Sequence, residues 1–374
     1  MRAIHNAKSF LRGLRTNIPG EIRVNEKIIV IESDDWGAIR TPSKSVLDAF
    51  RKNAFELDKS IYKVDALESS SDIVNLFDLL GSFRNDFGET PIFTTNTIVA
   101  NPDFEKIREC DFKAYHYEKF TETYKKYPEH STNLSLLKQG IQQKLIFPQF
   151  HGREHLDIPR WMEALRSGNE KVLYSFSLGS TYSGKGDYSF MGAFDWSEKG
   201  EIEQHKAIIA DGLNIFRDTF GFESKSFIAP CYSWDSDLEY ALEENGVSII
   251  QGQRIQLAPS GILKKYKLIP HYFGQRNSKA LSFNVRNVFF EPVNNPNIDW
   301  TDEAMAGIQA AFFMKRPAVI STHRLNYIGF IDEKNASNGL KQLKKLFKKI
   351  LEKWPDVKFL STNQLEKYFN NERG

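Results

Sequence analysis

The chain has 374 residues, 41% of them hydrophobic and 26% charged, an ordinary composition for a folded protein with a sizeable core. Fifty basic residues against 48 acidic ones leave a formal net charge of +2, so no basic excess points to nucleic acid as a partner. The only cysteines, Cys110 and Cys231, exclude a disulfide framework and a cysteine-rich zinc site.

The opening MRAIHNAKSFLRGLRTNIPG is basic but lacks the apolar run of a secretory leader. No stretch reaches the ~20 apolar residues that a membrane span needs. The chain therefore reads as cytoplasmic and without a transmembrane segment. Its basic, partly amphipathic start is of a kind that can touch a membrane surface.

From Lys27 onward, short apolar runs alternate with helical patterns. KIIVIES (27–33) reads as a buried strand, β-branched and followed at once by charge. Residues 43–55 and 72–84 read as helices opened by Ser or Asp caps, with a strand at 91–95 after them. A helix over 134–145 leads into the strand IFPQF (146–150). Asp157-Ile158-Pro159 then has the form of a cap and a first-turn proline, opening a helix to about Arg166.

The pattern continues with a helix over 198–220, the strand KSFIA (225–229), a helix over 236–244 and a strand over 247–251. A helix over 301–314 precedes the strand AVIST (318–322), and a helix over 339–354 precedes a strand over 357–360. That last helix carries five lysines from Lys341 to Lys349 opposite an apolar stripe. Seven or eight such units imply a parallel sheet with helices outside, closed as a barrel in preference to an open doubly wound sheet. The expectation is one catalytic domain over 1–374, with its core from about residue 24 to 369. Residues 111–130, 175–196 and 266–292 fit the pattern poorly and are expected as insertions over or beside the barrel.

Candidate catalytic residues gather at the C-terminal ends of these strands, the edge where parallel α/β folds build active sites. Asp34 and Asp35 follow KIIVIES, His151 and His155 follow IFPQF, Pro230 and Tyr232 follow KSFIA, and His323 follows AVIST. Two histidines four residues apart, in HGREH, can converge on one ion whether the segment is helical or a tight loop. Neighbouring side chains on an extended segment diverge, so one carboxylate of Asp34-Asp35 can bind the ion while the other faces a bound water. An Asp/His/His set leaves coordination positions open, as a catalytic site requires. His323 is placed to donate a proton to a leaving group. Trp36 and Trp234 flank these motifs, where they could stack on a sugar ring or simply pack in the core.

These segments resemble the motifs of the polysaccharide deacetylase family, the NodB-like carbohydrate esterases. Glu32-Ser33-Asp34-Asp35-Trp36-Gly37 matches the family's acidic-pair motif, and His151-Gly152-Arg153-Glu154-His155 its histidine motif. Ala229-Pro230-Cys231-Tyr232 matches its R-x-P-Y motif, and Ile320-Ser321-Thr322-His323 its late histidine motif, all in the family's order. The resemblance implies a distorted (β/α) barrel of about seven strands and a divalent metal, commonly zinc. It implies Asp34 as general base, Asp35, His151 and His155 as metal ligands, and His323 as general acid. The Tyr232 backbone N–H would be an oxyanion donor, and Pro230, Trp36 and Trp234 would lie toward the substrate. The activity implied is removal of N- or O-acetyl groups from a sugar.

Three departures stand out. The arginine of the third motif, which in the family orients the base, is missing, so either Arg40, Arg153 or Arg254 substitutes or the base is tuned differently. Gly152 replaces a Ser or Thr, and Trp36 is inserted before the glycine of the first motif. The missing arginine keeps open a metal-retaining carbohydrate-binding protein without catalysis. A non-sugar amidase or a glycosidase on the same scaffold is a further alternative.

Overall fold

The computed structural model describes residues 2–20, 22–53, 55, 63–181, 190–295 and 298–370. Residue 54 of the helix expected over 43–55 and residues 182–189 of the expected 175–196 insertion lie outside the described residues. Nine strands form one sheet in which every pair is parallel. The order across it is Ser282–Val285, Ile249–Gly252, Ser226–Ile228, Ile146–Phe150, Phe93–Thr97, Ile28–Trp36, Ala318–His323 and Val288–Phe289. Lys358–Leu360 pairs with the foot of the Ile28–Trp36 strand.

The two ends of that order are one stretch of chain, interrupted only by Arg286 and Asn287. The Arg286 N–H donates to the Gly252 carbonyl at 2.9 Å, and the Asn287 N–H to that of Val319 at 3.2 Å. A single segment thus bonds to both edges of the sheet and closes it. With that segment as one stave and Lys358–Leu360 as a wedge at the foot of another, the outline is the expected distorted barrel of seven staves.

This closing stave lies inside the expected 266–292 insertion, so only the first part of that region stands outside the barrel. The sequence reading missed it because the stave is short and its polar Asn284 and Arg286 break the apolar run. The 111–130 region also belongs partly to the body. Phe120 and Tyr124 are buried in the main core, leaving 111–119 as the surface portion.

The caps expected at Ser43 and Asp157 open their helices, while the helix expected over 72–84 is capped three residues earlier, by Ser69. Ser43 accepts from the Val46 N–H ahead of Lys44–Lys52, and Ser69 with Asp72 forms a capping box ahead of Ser70–Gly81. Asp157 and Asp299 cap Ile158–Arg166 and Trp300–Phe313 in the same way. Arg2–Asn17 is an additional helix, packed against Trp300–Phe313 so closely that a Cβ at Gly13 would lie 2.7 Å from that of Ala310. Among the described residues, no helix is long and apolar enough to cross a membrane.

Alternation along the strands divides their apolar side chains between two packed regions. Ile29, Ile31, Phe93, Ile146, Phe227, Ile250 and Ile320 face the surrounding helices in the largest core cluster. Ile28, Val30, Ile249, Val319 and Leu360 form a smaller cluster with Phe273 and Leu365. Beyond Val30 on the Ile28–Trp36 strand, positions 32 and 34 are acidic and fully enclosed. That polar upper interior is where the site lies.

Candidate metal and acid–base site

Asp34 and Asp35 stand at the end of the Ile28–Trp36 strand, and the backbone between them and Gly37 bends sharply. Asp35 has φ 72° and Gly37 φ 80°. Asp tolerates the left-handed region better than most residues, at a cost of roughly 1–3 kcal/mol. At Gly37 the turn admits only glycine, because a Cβ there would meet the Ile98 carbonyl oxygen at 2.6 Å and the Phe120 ring at 2.9 Å. The bend sends the two carboxylates to different partners, as the strand geometry requires.

Asp35 faces the histidines. Its Oδ1 is 3.2 Å from His151 Nε2 and 3.5 Å from His155 Nε2. The HGREH segment is a loop, held by bonds from the His151 N–H to the Thr97 carbonyl and from the Ala100 N–H to the Arg153 carbonyl. Gly152 has φ 116°, which explains why no Ser or Thr stands there. The two imidazoles lie 5.3 Å apart at 87°, and Asp35, His151 and His155 offer ligand atoms within 4.8 Å of one another.

This donor set fits a divalent ion. His151 Nδ1 lies 2.9 Å from the Ile228 carbonyl, an outer contact that fixes the ring with Nε2 toward the shared space. His155 has a buried Nδ1 with no partner among the described residues. Burial and then the nearby Arg40 guanidinium push His155 well below its ordinary pKa. Burial opposes ionisation of Asp35, but His155, His151 and Arg40 outweigh it and hold the carboxyl well below its usual range. Neutral imidazoles and an ionised carboxylate are the forms that bind metal. One oxygen and two nitrogens suit zinc.

Asp34 faces the barrel interior and meets an arginine that the sequence reading did not select. Arg286 binds it through two bonds of 2.6 Å, NH1 to Oδ2 and NH2 to Oδ1. Its Nε donates to Glu32 Oε2 at 2.7 Å, so one guanidinium spans two acids of the same strand. Asn96 donates to Asp34 Oδ1 at 2.8 Å, while Asn284 and Thr362 satisfy Glu32 at 2.7 and 2.6 Å. Burial raises the pKa of Asp34, but Arg286 overrides it and the carboxyl stays below its usual value.

Arg286, and none of the three expected substitutes, is the arginine bonded to Asp34. Arg40 pairs with Asp65 at 2.9 Å and lies beside Asp35. Arg153 forks between Glu154 and Asp211. Arg254 is exposed and donates to the Arg15 carbonyl. The signal available in sequence was an arginine among short alternating residues two positions after Asn284, but nothing local marks it as the partner of a residue 252 positions away.

His323 ends the Ala318–His323 strand, with Nδ1 2.6 Å from Glu291 Oε1 and Nε2 3.8 Å from Asp34 Oδ2. Asn326 donates to the other Glu291 oxygen at 2.7 Å and steadies it. Burial disfavours the charged ring, but the Glu291 carboxylate outweighs burial and lifts His323 well above its ordinary pKa. An ionised carboxylate and a protonated imidazole thus share one rim, the separation of pKa values that acid–base pairs use.

Four sequence expectations are corrected here. The Tyr232 N–H donates to the Ala229 carbonyl at 3.0 Å and is not an available oxyanion donor; the Tyr232 hydroxyl accepts from Arg286 at 3.1 Å instead. Trp36 is 2% exposed, with its indole N–H on the Ser33 hydroxyl at 3.0 Å. Trp234 is 1% exposed and stacks near His271. Pro230 is buried as well, packed toward Gly152. None of these three offers a face to a sugar; all hold the loops that carry the site.

No family model and no curated relative matches the chain. Among solved structures it is similar to a putative polysaccharide deacetylase from Mycobacterium smegmatis, with TM-score 0.46, 9% identity and coverage of 95% of this chain and 93% of that one. It is similar to a probable polysaccharide deacetylase from Pseudomonas aeruginosa PAO1, with TM-score 0.44, 9% identity and coverage of 94% and 92%. An allantoinase matches over 97% of both chains at TM-score 0.45 and 9% identity.

Proposed function

We propose that the chain is a metal-dependent hydrolase that removes N- or O-acetyl groups from a sugar or a polysaccharide precursor. One observation carries this reading. A candidate ion site of Asp35, His151 and His155 adjoins an ionised Asp34, and a Glu291-held His323 lies across from it. A divalent ion there, zinc by its donor set, would supply Lewis-acid polarisation of a water and an acyl oxygen. Asp34, fixed by Arg286 and Asn96, accepts the proton of the attacking water. His323, protonated through Glu291, returns a proton to the departing amine or alcohol.

Chelator treatment is expected to abolish acetate release from acetylated sugars, and zinc to restore it. His155→Ala is expected to retain substoichiometric ion by elemental analysis. Release of reducing ends without acetate would point to a glycosidase instead. Activity on acyl amides but not on sugars would point to a non-sugar amidase. The non-catalytic alternative rests on the missing arginine, and the pairing of Arg286 with Asp34 supports the catalytic reading over it.

The acid limb gives a further test. His323 must be protonated to act, so turnover is expected to fall as pH rises through its elevated pKa. Glu291→Gln removes the carboxylate that raises it and should move that upper limit to lower pH. A pH–rate profile with an unchanged upper limit would remove Glu291 from this role.

A further inference from the structure

The turn that carries Asp35 is held from outside the candidate ion site. A residue other than glycine in the left-handed region, as Asp35 is, persists only where its surroundings over-determine it. Residues 37–39 show what does so. The Gly37 N–H donates to Glu68 Oε1 at 3.1 Å. Asn101 donates to the Gly37 carbonyl at 2.9 Å and accepts from the Ile39 N–H at 3.0 Å. The Ala38 carbonyl accepts from Arg324 NH1 at 2.7 Å, and the Ala38 N–H donates to the Asp35 carbonyl at 3.3 Å.

Arg324 follows the proposed acid, His323, and is fully buried. Its NH1 also donates to Glu68 Oε2 and its NH2 to Asp65 Oδ1, both at 2.7 Å. Asp65 Oδ2 lies 2.9 Å from Arg40 Nε, and Arg40 NH2 lies 3.8 Å from Asp35 Oδ1. Glu68, Arg324, Asp65, Arg40 and Asp35 are thus charged groups of alternating sign in one row, none of them more than 4% exposed. A buried charge parted from its partner is strongly destabilising, so the row moves as a unit or not at all.

We propose that Arg324 and Asn101 are positioning residues for the ion. They fix the turn that presents the Asp35 carboxylate to His151 and His155, and neither is a ligand. The inference rests on the ion site proposed above and deepens it, because it places determinants of ion affinity outside the three ligands. Asn101 is the uncharged half of the clamp, bonding the turn with one donor and one acceptor. Arg324 is the charged half, a planar fork on three acceptors that a lysine ammonium does not reproduce. Since Arg324 adjoins His323, the same clamp sets the spacing between the ion and the proposed acid.

Zinc binding by the full chain, stripped with chelator, tests this without any turnover. Competition with a chromogenic chelator gives the dissociation constant. Arg324→Lys and Asn101→Ala are each expected to raise it about 10–100-fold, the range for residues that orient a metal ligand from behind. Ile350→Ala, a cavity in the core under Glu333–Lys353, is the control: it lowers the melting temperature and leaves zinc affinity unchanged. All are compared at a temperature where near-UV circular dichroism shows each chain folded. Should Arg324→Lys fail to fold, Asn101→Ala decides, since it leaves the row of charges whole. Parent-like affinity in the folded variants overturns the clamp and spares the ion site. An equal loss in Ile350→Ala overturns the clamp as well, by assigning the effect to stability. A parent chain that takes up no zinc overturns the ion site and the clamp together.

Discussion

Arg286→Ala is expected to cost about 3–5 kcal/mol of stability, the range for removing one partner of a buried ion pair. Arg286 is 1% exposed and is the cation shared by Glu32 and Asp34, which are 0% and 3% exposed. Without it Glu32 keeps only the neutral donors Asn284 and Thr362, and Asp34 keeps Asn96 and the more distant His323. Urea denaturation measures the loss. The sign of its pH dependence follows from Asp34, whose pKa is depressed in the folded protein. Its contribution is present above the ordinary carboxylate range and is lost as pH falls through the folded value. The gap between parent and variant should therefore be widest near neutrality and narrow on acidification. A cost below about 1 kcal/mol, or a gap independent of pH, would show that Arg286 does not hold the base.

Asp34→Asn is expected to lower turnover by a factor of about 10²–10⁴ while leaving bound ion unchanged. The substitution keeps the shape of the side chain and leaves Arg286 its bond to Glu32. Asp35→Asn should do the reverse in its first effect, weakening ion retention, because Asp35 contributes the carboxylate of the candidate ion site. Acetate release and elemental analysis on both variants separate the roles that adjacent residues hold. Equal turnover in Asp34→Asn and parent would exclude Asp34 as the base.

Stability and the proposed catalysis meet at these residues because the upper interior of the barrel is polar. Glu32 and Asp34 on one strand, Asn96 on the next and Asn284 and Arg286 on the closing stave form one hydrogen-bonded unit. A half-satisfied network of this kind costs more than an apolar core, so it specifies the site and the closed sheet together. Closure itself passes through Arg286, whose N–H bonds Gly252 on one edge while its side chain reaches Asp34 across the interior.

Much of this was legible in order of residues alone. The strands at 27–33, 91–95, 146–150 and 318–322 appear within a few residues of their expected bounds, because unbroken β-branched or apolar runs between caps leave little else to form. His151 and His155 converge with one carboxylate of Asp34-Asp35 as their spacing and strand-end positions implied, since the C-terminal ends of parallel strands share one rim; that the carboxylate is Asp35 was implied by the resemblance alone. The role of the tryptophans stayed open in the sequence for the opposite reason. A large aromatic beside a motif is equally consistent with stacking on a ligand and with packing, and burial, which decides between them, is a property of the whole fold.

The amino-acid sequence by itself determined the alternation of strands and helices, the barrel class and the residues from which the site is drawn. Those follow from local periodicity, capping and strand direction, each contained within a few consecutive residues. Only the tertiary structure decided that Arg286 holds Asp34, that Glu291 charges His323, that the Tyr232 amide is already bonded, and that one short stave closes the sheet. Each of these depends on groups far apart in the chain meeting in a buried space, where the desolvation of a charge compels it to find a partner.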